Sequence, residues 1–301
     1  MSIKNVTLHP MQKVLLGNCL QILPNLAETF DVTFLDPPFN QQKDYNFCDD
    51  DLPENDYWQM ISDVAKKIFE KTSEGGAIYF MQREKNTAQV IRALRETGWE
   101  FQNLIVWKKL TSAVPSSLRF GKSFQIIIYA TKGKRPRVFN RLRIDPPLLK
   151  NQKYERENGV FVTDIWDDIR ELTSGYFAGD EAIRNSDGER FHKQQSPIAL
   201  LLRIILSSSE VGDTILDPFA GTGTTAIVAK QLNRNFVNID IDKENVKQIE
   251  NRLGEMRKSD LIGKYFESYK CTEDLSKIWG KDSMIQNKPK VKNKVQTLFA
   301  M

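Results

Sequence analysis

An α/β fold, a doubly wound and mostly parallel sheet with a loop-rich insertion, follows from three observations on the sequence. Short apolar runs alternate with amphipathic helical stretches along most of the chain, the pattern that builds parallel sheets from strand–helix units. Two stiff turns, Asp36-Pro37-Pro38-Phe39 and Asp217-Pro218-Phe219-Ala220-Gly221-Thr222-Gly223, each stand at the C-terminal end of such a run, the edge where open α/β sheets bind ligands. Between the two regular halves, residues 132–190 lose their periodicity and become rich in loops.

The elements follow in order. Lys13 to Leu16 reads as a strand closing at Gly17-Asn18, and Cys19 to Leu26 as a short helical segment. Val32-Thr33-Phe34-Leu35 is a buried strand ending at Asp36. Two prolines then fix φ and remove two backbone donors, so neither helix nor sheet continues through them. Gln41 to Asn55, with the acidic run Asp49-Asp50-Asp51, reads as a solvated loop. Asp56 to Lys71 is an amphipathic helix carrying Trp58, Ile61, Ala65, Ile68 and Phe69 on one face. Gly75-Gly76 is expected to end that unit before a strand at Ala77 to Met81. Asn86 to Glu96 is a second such helix with Gly98 as its stop signal. Phe101 to Trp107 and Phe124 to Thr131 are two further strands. After the insertion, a helix is expected at Pro197 to Ser208 with proline in its first turn. A strand (Thr214 to Leu216), a helix (Thr224 to Leu232), a strand (Phe236 to Ile239) and a helix (Glu244 to Leu253) complete the pattern. The expected division is 1–131, 132–190, 191–256 and a polar, lysine-rich extension at 257–301.

Composition narrows the class. In 301 residues, 40% are hydrophobic and 10% aromatic, ample for a sizeable core. A net charge of +4 permits a polyanionic partner without requiring one. Cys19, Cys48 and Cys271 are far apart and form no CxxC pair, and His9 and His192 are the only histidines, so no metal site is expected. Reduced thiols and a cytoplasmic location follow as the expectation. The N-terminal residues lack the apolar region of a signal peptide, and the apolar runs are too short to span a bilayer.

The second turn carries its own chemistry. Gly221 and Gly223 allow a tight turn and a close approach of backbone to ligand. Asp240 ends the next apolar run about 20 residues after Gly221, the offset expected for an acid that binds ribose hydroxyls. The full GxGxxG pattern is not met, because Thr224-Thr225-Ala226 follow Gly223. An adenosyl ligand without phosphates is therefore preferred over a dinucleotide.

Together the two turns resemble those of the class I, S-adenosylmethionine-dependent amino-methyltransferases acting on DNA. Asp36-Pro37-Pro38-Phe39 matches the (D/N/S)PP(Y/F/W) catalytic motif, and Asp217 to Gly223 matches the cofactor loop. The catalytic motif comes first, with an irregular basic segment between, as in the β group of these enzymes. By resemblance, Asp36 and the Pro37 carbonyl would accept the two N–H groups of an exocyclic amino nitrogen, Pro38 would keep the turn rigid and Phe39 would stack on a flipped base. Asn18, Asp217, Phe219, Gly221, Gly223, Thr224, Asp240 and Gln195 would hold S-adenosylmethionine. Asn18 stands where the family often has an acid. Phe191 to Pro197 resembles the HPxQKP segment, with Gln195 and Pro197 matching and Ser196 replacing the lysine; His192 reads as structural or cofactor-positioning. The implied substrate is double-stranded DNA, with a cognate restriction endonuclease and a homodimer as further partners. Lys108, Lys109, Lys134, Arg135 and Arg137 are the candidate phosphate contacts. Aspartate in the first motif position favours adenine N6 over cytosine N4. The rival readings are an RNA or protein-glutamine methyltransferase, counted against by the motif order, and a non-catalytic DNA-binding protein of the same fold.

Overall fold

Strand and helix alternate through both regular halves of the chain in the computed structural model, which describes residues 11–40, 51–109, 115, 117–145, 157–172, 179–192 and 194–280. The first half runs β1 (Gln12–Leu16), α1 (Cys19–Ile22), β2 (Phe30–Leu35), α2 (Glu54–Lys71), β3 (Thr72–Arg83), α3 (Thr87–Glu96), β4 (Trp99–Lys108) and β5 (Phe124–Lys132). The insertion contributes three two-residue strands, β6 (Arg143–Ile144), β7 (Val160–Phe161) and β8 (Ile165–Trp166). The second half is α4 (Ile198–Ser208), β9 (Thr214–Asp217), α5 (Thr224–Gln231), β10 (Asn235–Asp240) and α6 (Lys243–Gly254), followed by 3-10 turns and α7 (Leu275–Trp279).

Eight strands form one sheet in the order β1-β10-β9-β2-β3-β5-β4-β8, while β6 and β7 pair separately. Only β5 runs antiparallel to its neighbours in the large sheet. The expected doubly wound, mostly parallel architecture is therefore present. β9 leads through α5 to β10 on one side, and β2 leads through α2 to β3 on the other. The strand order thus reverses between β9 and β2, which pair directly at Val32–Ile215 and Thr33–Leu216. The C-terminal ends of these two strands are the topological switch point, the crevice where such sheets take ligands.

Alternation along the central strands builds two cores. Val32, Phe34, Tyr79, Met81 and Tyr129 point to one face, with α4 and α5. Phe30, Leu35, Ile78, Phe80 and Ile128 point to the other, with α2 and α3. α4 is apolar nearly all round because it is buried nearly all round.

Two expectations are corrected. Gly75-Gly76 does not separate helix from strand: α2 passes directly into β3 at Thr72, and both glycines lie within that strand. The pairing of β2 with β3 shifts register between Phe30 and Val32, which accommodates the extra residues without a loop. The stretch after Arg257 is not a mere polar extension, since Ile262, Tyr269, Leu275 and Trp279 are buried in the core beside α4. Ile262 and Tyr269 sit in short 3-10 turns, and Leu275 and Trp279 in the five-residue α7, all too short for a helical period to mark them. Asp260 anchors the segment: it is fully buried and receives Arg252 Nη2 and Arg257 Nη2, each at 2.7 Å. Most of the expected acidic loop (residues 41–50) and the lysine-rich tail (281–301) lie outside the described residues. Among the described residues no helix is long and apolar enough to cross a membrane.

Candidate active site

Both predicted turns open into one cavity of about 690 Å³ at the switch point, lined among others by Asn18, Asp36, Pro37, Asp217, Gly221 and Asp240. The topology explains the meeting. Strands β2 and β9 are neighbours in space though far apart in the chain, so the turns that follow them face each other.

The Asp217 turn is satisfied from within. Asp217 is buried and accepts Thr225 Oγ1 at 2.5 Å and the Phe219 backbone N–H at 3.2 Å. Gly223 precedes α5 in the left-handed region (φ 75°), where a side chain would be strained. A Cβ on it would also lie 2.6 Å from Ile249 Cγ1, so the turn is sealed against α6. The Gly221 N–H donates to Asp240 Oδ2 at 2.7 Å, while Asp242 N–H and Asn245 Nδ2 donate to Asp240 Oδ1. Asp240 thereby ties the glycine turn to the end of β10. Arg252 Nη1 donates to the Thr222 carbonyl at 2.5 Å, so the C-terminal anchor at Asp260 also braces this turn.

The Asp36 turn is held from outside. Tyr57 on α2 donates its hydroxyl to the Pro38 carbonyl at 2.8 Å, and Gln82 Nε2 donates to the Tyr57 oxygen at 2.9 Å. Beyond the turn, Asn40 pairs with both backbone groups of Leu52. The Asp36 carboxylate is half-buried and accepts Ser196 Oγ at 3.3 Å. Burial and the neighbouring Asp217 push its pKa up to about 8, against the weaker pull of Ser196 and Lys109. Burial likewise pushes Asp217 up to about 7, opposed by its bonds from Thr225 and Phe219. Two acids facing one cavity in low dielectric favour a cationic occupant.

The predicted site residues divide on this geometry. Asp36, Pro37, Pro38, Asn18, Asp217, Phe219, Gly221, Thr224, Asp240 and Gln195 reach the cavity, and Gly223 shapes it from behind. Asn18 also accepts the Leu20 N–H at 2.9 Å as the cap of α1. The Gln195 amide accepts the Ile183 N–H and donates to the Glu181 carbonyl, so its described bonds brace the chain leading into α4. Phe39 is buried and does not line the cavity. Stacking on a base in the cavity would require the ring to leave its present packing.

The basic candidates separate as well. Lys108 and Lys109 lie at the end of β4, on the same edge of the sheet as Asp36. Lys134, Arg135 and Arg137 follow β5, which runs the other way, and so fall at the opposite edge. There Arg137 pairs with Asp31 and Asp213, and its backbone N–H meets the Gly75 carbonyl. Arg141 and Arg143 stack on the Phe161 ring. Sequence reasoning missed Tyr57 and Gln82, which read as ordinary helix and strand residues. It noted Ser196 only as a departure from a motif.

Comparison with known proteins agrees with this geometry. Residues 30–251 match the model of the N6/N4 DNA methylase family. The chain is 30% identical over 272 residues to the type II methyltransferase M.HpaI of Haemophilus parainfluenzae, covering 88% of this chain and 81% of that protein. It is 26% identical over 267 residues to M.HinfI of Haemophilus influenzae, covering 82% and 69%. Its fold is similar to the crystal structure of an M1.HpyAVI–SAM complex (TM-score 0.54, 21% identity, 81% of this chain and 99% of that one). It is also similar to the cytosine-N4-specific PvuII DNA methyltransferase (TM-score 0.59, 16% identity, 93% and 96%). With the family model spanning both turns and the insertion between them, the chain belongs to the N6/N4 DNA methylases, S-adenosylmethionine-dependent methyltransferases that modify an exocyclic amino group of a DNA base.

Proposed function

We propose that this enzyme methylates adenine N6 in double-stranded DNA, with Asp36 as the residue that grips the amino group. The observation that carries the reading is the meeting of Asp36 with the Asp217–Gly223 turn in one cavity at the switch point. The amino nitrogen of a base is a poor nucleophile because its lone pair is delocalised into the ring. Asp36 Oδ and the Pro37 carbonyl are two acceptors on one rigid turn, suited to take its two N–H groups and draw the nitrogen toward tetrahedral geometry. Tyr57 holds the neighbouring Pro38 carbonyl, which steadies the turn that carries both acceptors. Most of the catalysis is then positioning and electrostatics. As the nitrogen gains a carbon it sheds a proton, for which Asp36 Oδ is the adjacent acceptor.

The lining fits the methyl donor. The glycine turn admits a close ligand, Asp240 stands at the end of β10 for ribose hydroxyls, and the acids suit a sulfonium charge. When bound, S-adenosylmethionine supplies an electrophilic methyl carbon. Adenine is favoured over cytosine because aspartate, rather than serine, begins the motif. The target base must leave the duplex to reach Asp36. Lys108 and Lys109, on the catalytic edge, are the phosphate contacts this reading retains. Likeness to type II methyltransferases supports a companion restriction endonuclease of the same specificity and a cytoplasmic place of work. A homodimer is a further expectation, read by sedimentation.

Expression in a methylation-free host, followed by sequencing that distinguishes N6-methyladenine from N4-methylcytosine, tests the assignment. N6-methyladenine at a fixed sequence, lost in Asp36→Ala, is the expected result. N4-methylcytosine would overturn the choice of base, and methylation undiminished in Asp36→Ala would overturn the role of that residue.

A further inference from the structure

The connection between β4 and β5 combines a pinned base with two exposed apolar side chains. At the base, Lys109 N–H donates to the Ser123 carbonyl at 2.7 Å, and Lys122 Nζ pairs with Glu84 Oε1 at 2.6 Å. Beyond it, Leu118 is 93% exposed and Phe120 96%, far more than any other large apolar side chain among the described residues. Exposed Arg119 lies between them, and exposed Lys108 stands at the foot. A single exposed apolar residue needs no explanation. Two at alternate positions on one anchored loop, interleaved with a cation, form a surface of definite chemistry.

Its place in the fold is equally definite. The loop leaves the same sheet edge as Asp36, because β4 runs parallel to β2 and β3 whereas β5 returns antiparallel. In strand order, β5 and β4 lie two and three positions from β2. At about 4.8 Å per strand, the loop stands roughly 10–15 Å to one side of the Asp36 turn. That offset is comparable to the width of a DNA major groove, about 12 Å. Lys109, at the loop's foot, is close enough to favour the ionised form of Asp36.

We propose that Leu118 and Phe120 are an intercalating wedge, entering the duplex and filling the space left by the base that Asp36 holds. The proposal rests on the reading of Asp36 given above. Extruding a base costs a few kcal/mol of stacking and pairing. Apolar side chains inserted between base steps offset such a loss, and Phe and Leu are among those used. Arg119 and Lys108 supply charge for the flanking phosphates. A second copy of the chain is a poorer occupant. A Leu and a Phe offer on the order of 350 Å², well short of the roughly 800 Å² per partner of a stable interface.

The double variant Leu118→Ser/Phe120→Ser tests the wedge, since side chains this exposed contribute little to the fold. Single-turnover methylation is measured on two duplexes carrying the enzyme's own site, one with the target base paired and one with it opposite an abasic position. Fluorescence of 2-aminopurine at the target reports extrusion separately. The expected result is a loss of about 10–100-fold in rate and a weaker fluorescence rise on the paired duplex, with recovery to within a few-fold of wild type opposite the abasic site. Equal loss on both duplexes, no loss on either, or a change in sedimentation with extrusion intact would overturn the wedge. If wild type extrudes 2-aminopurine and methylates neither duplex, the reading of Asp36 fails while the fluorescence still decides the wedge.

Discussion

Asp36 follows a strand and Asp217 ends one, each precedes a proline and both face the same cavity, yet their turns are built on opposite plans. The Asp217 carboxylate is consumed locally by Thr225 and the Phe219 N–H, in a turn that glycine geometry and Ile249 lock into one shape. Among the described residues Asp36 accepts a long bond from Ser196, while its turn is steadied at a distance by Tyr57 and Gln82. One acid is therefore part of the scaffold. The other is kept available, with its backbone fixed and its carboxylate open to a new donor.

The sharpest way to break this contrast is to remove each carboxylate in turn. Asp36→Asn is expected to lower kcat by about 10²–10³, the range for losing one positioned electrostatic contact. It is also expected to stabilise the unliganded protein. The folded-state pKa of about 8 lies above the ordinary 3.8, so ionising Asp36 costs stability as pH rises between those values. The Tm advantage of the variant should thus be absent near pH 4 and greatest above pH 8, which a melting series would read. A smaller effect is expected from Asp217→Ala, which orphans the Thr225 hydroxyl and the Phe219 N–H. The loss should be about 1–3 kcal/mol of stability, together with weaker cofactor affinity in calorimetry. The stability measurement belongs near pH 4, because the wild-type acid loses stability as pH rises from there toward its raised pKa of about 7, a cost the alanine lacks. The smallest effect belongs to Ser196→Ala. Its hydroxyl lowers the Asp36 pKa, so the acid limb of kcat/KM should move to higher pH, while the plateau changes only a few-fold. An unmoved limb would dissociate Ser196 from Asp36.

The contrast also marks how far the sequence can be read. The C-terminal ends of the main strands, the Asp-Pro turns and the glycine loop are local signals, carried by neighbours in the chain, and they appear within a residue or two of where expected. The partners of a side chain across the fold are not local. The basic run resembles a phosphate-binding stripe, but Arg137 closes on Asp31 and Asp213, residues brought beside it only by the assembled sheet. Gln195 matches a motif position, yet its described bonds go to Glu181 and Ile183. Phe39 reads as an offered ring, but the turn folds it inward. The segment 258–280 is polar on average, and Trp279 and Tyr269 become core residues only because α4 presents an apolar face to them.

The facing pair of acids has a thermodynamic consequence for ligand binding. With pKa values of about 8 and 7, Asp36 and Asp217 hold protons near neutrality that a sulfonium in the same cavity would disfavour. Cofactor uptake is then an ion exchange, in which a cation enters and hydrogen ions leave. Affinity should rise with pH up to about 8, and the heat of binding should vary with the ionisation enthalpy of the buffer. The demethylated product, a neutral thioether, would lose that advantage and let the protons return, so the pair favours the spent cofactor's departure.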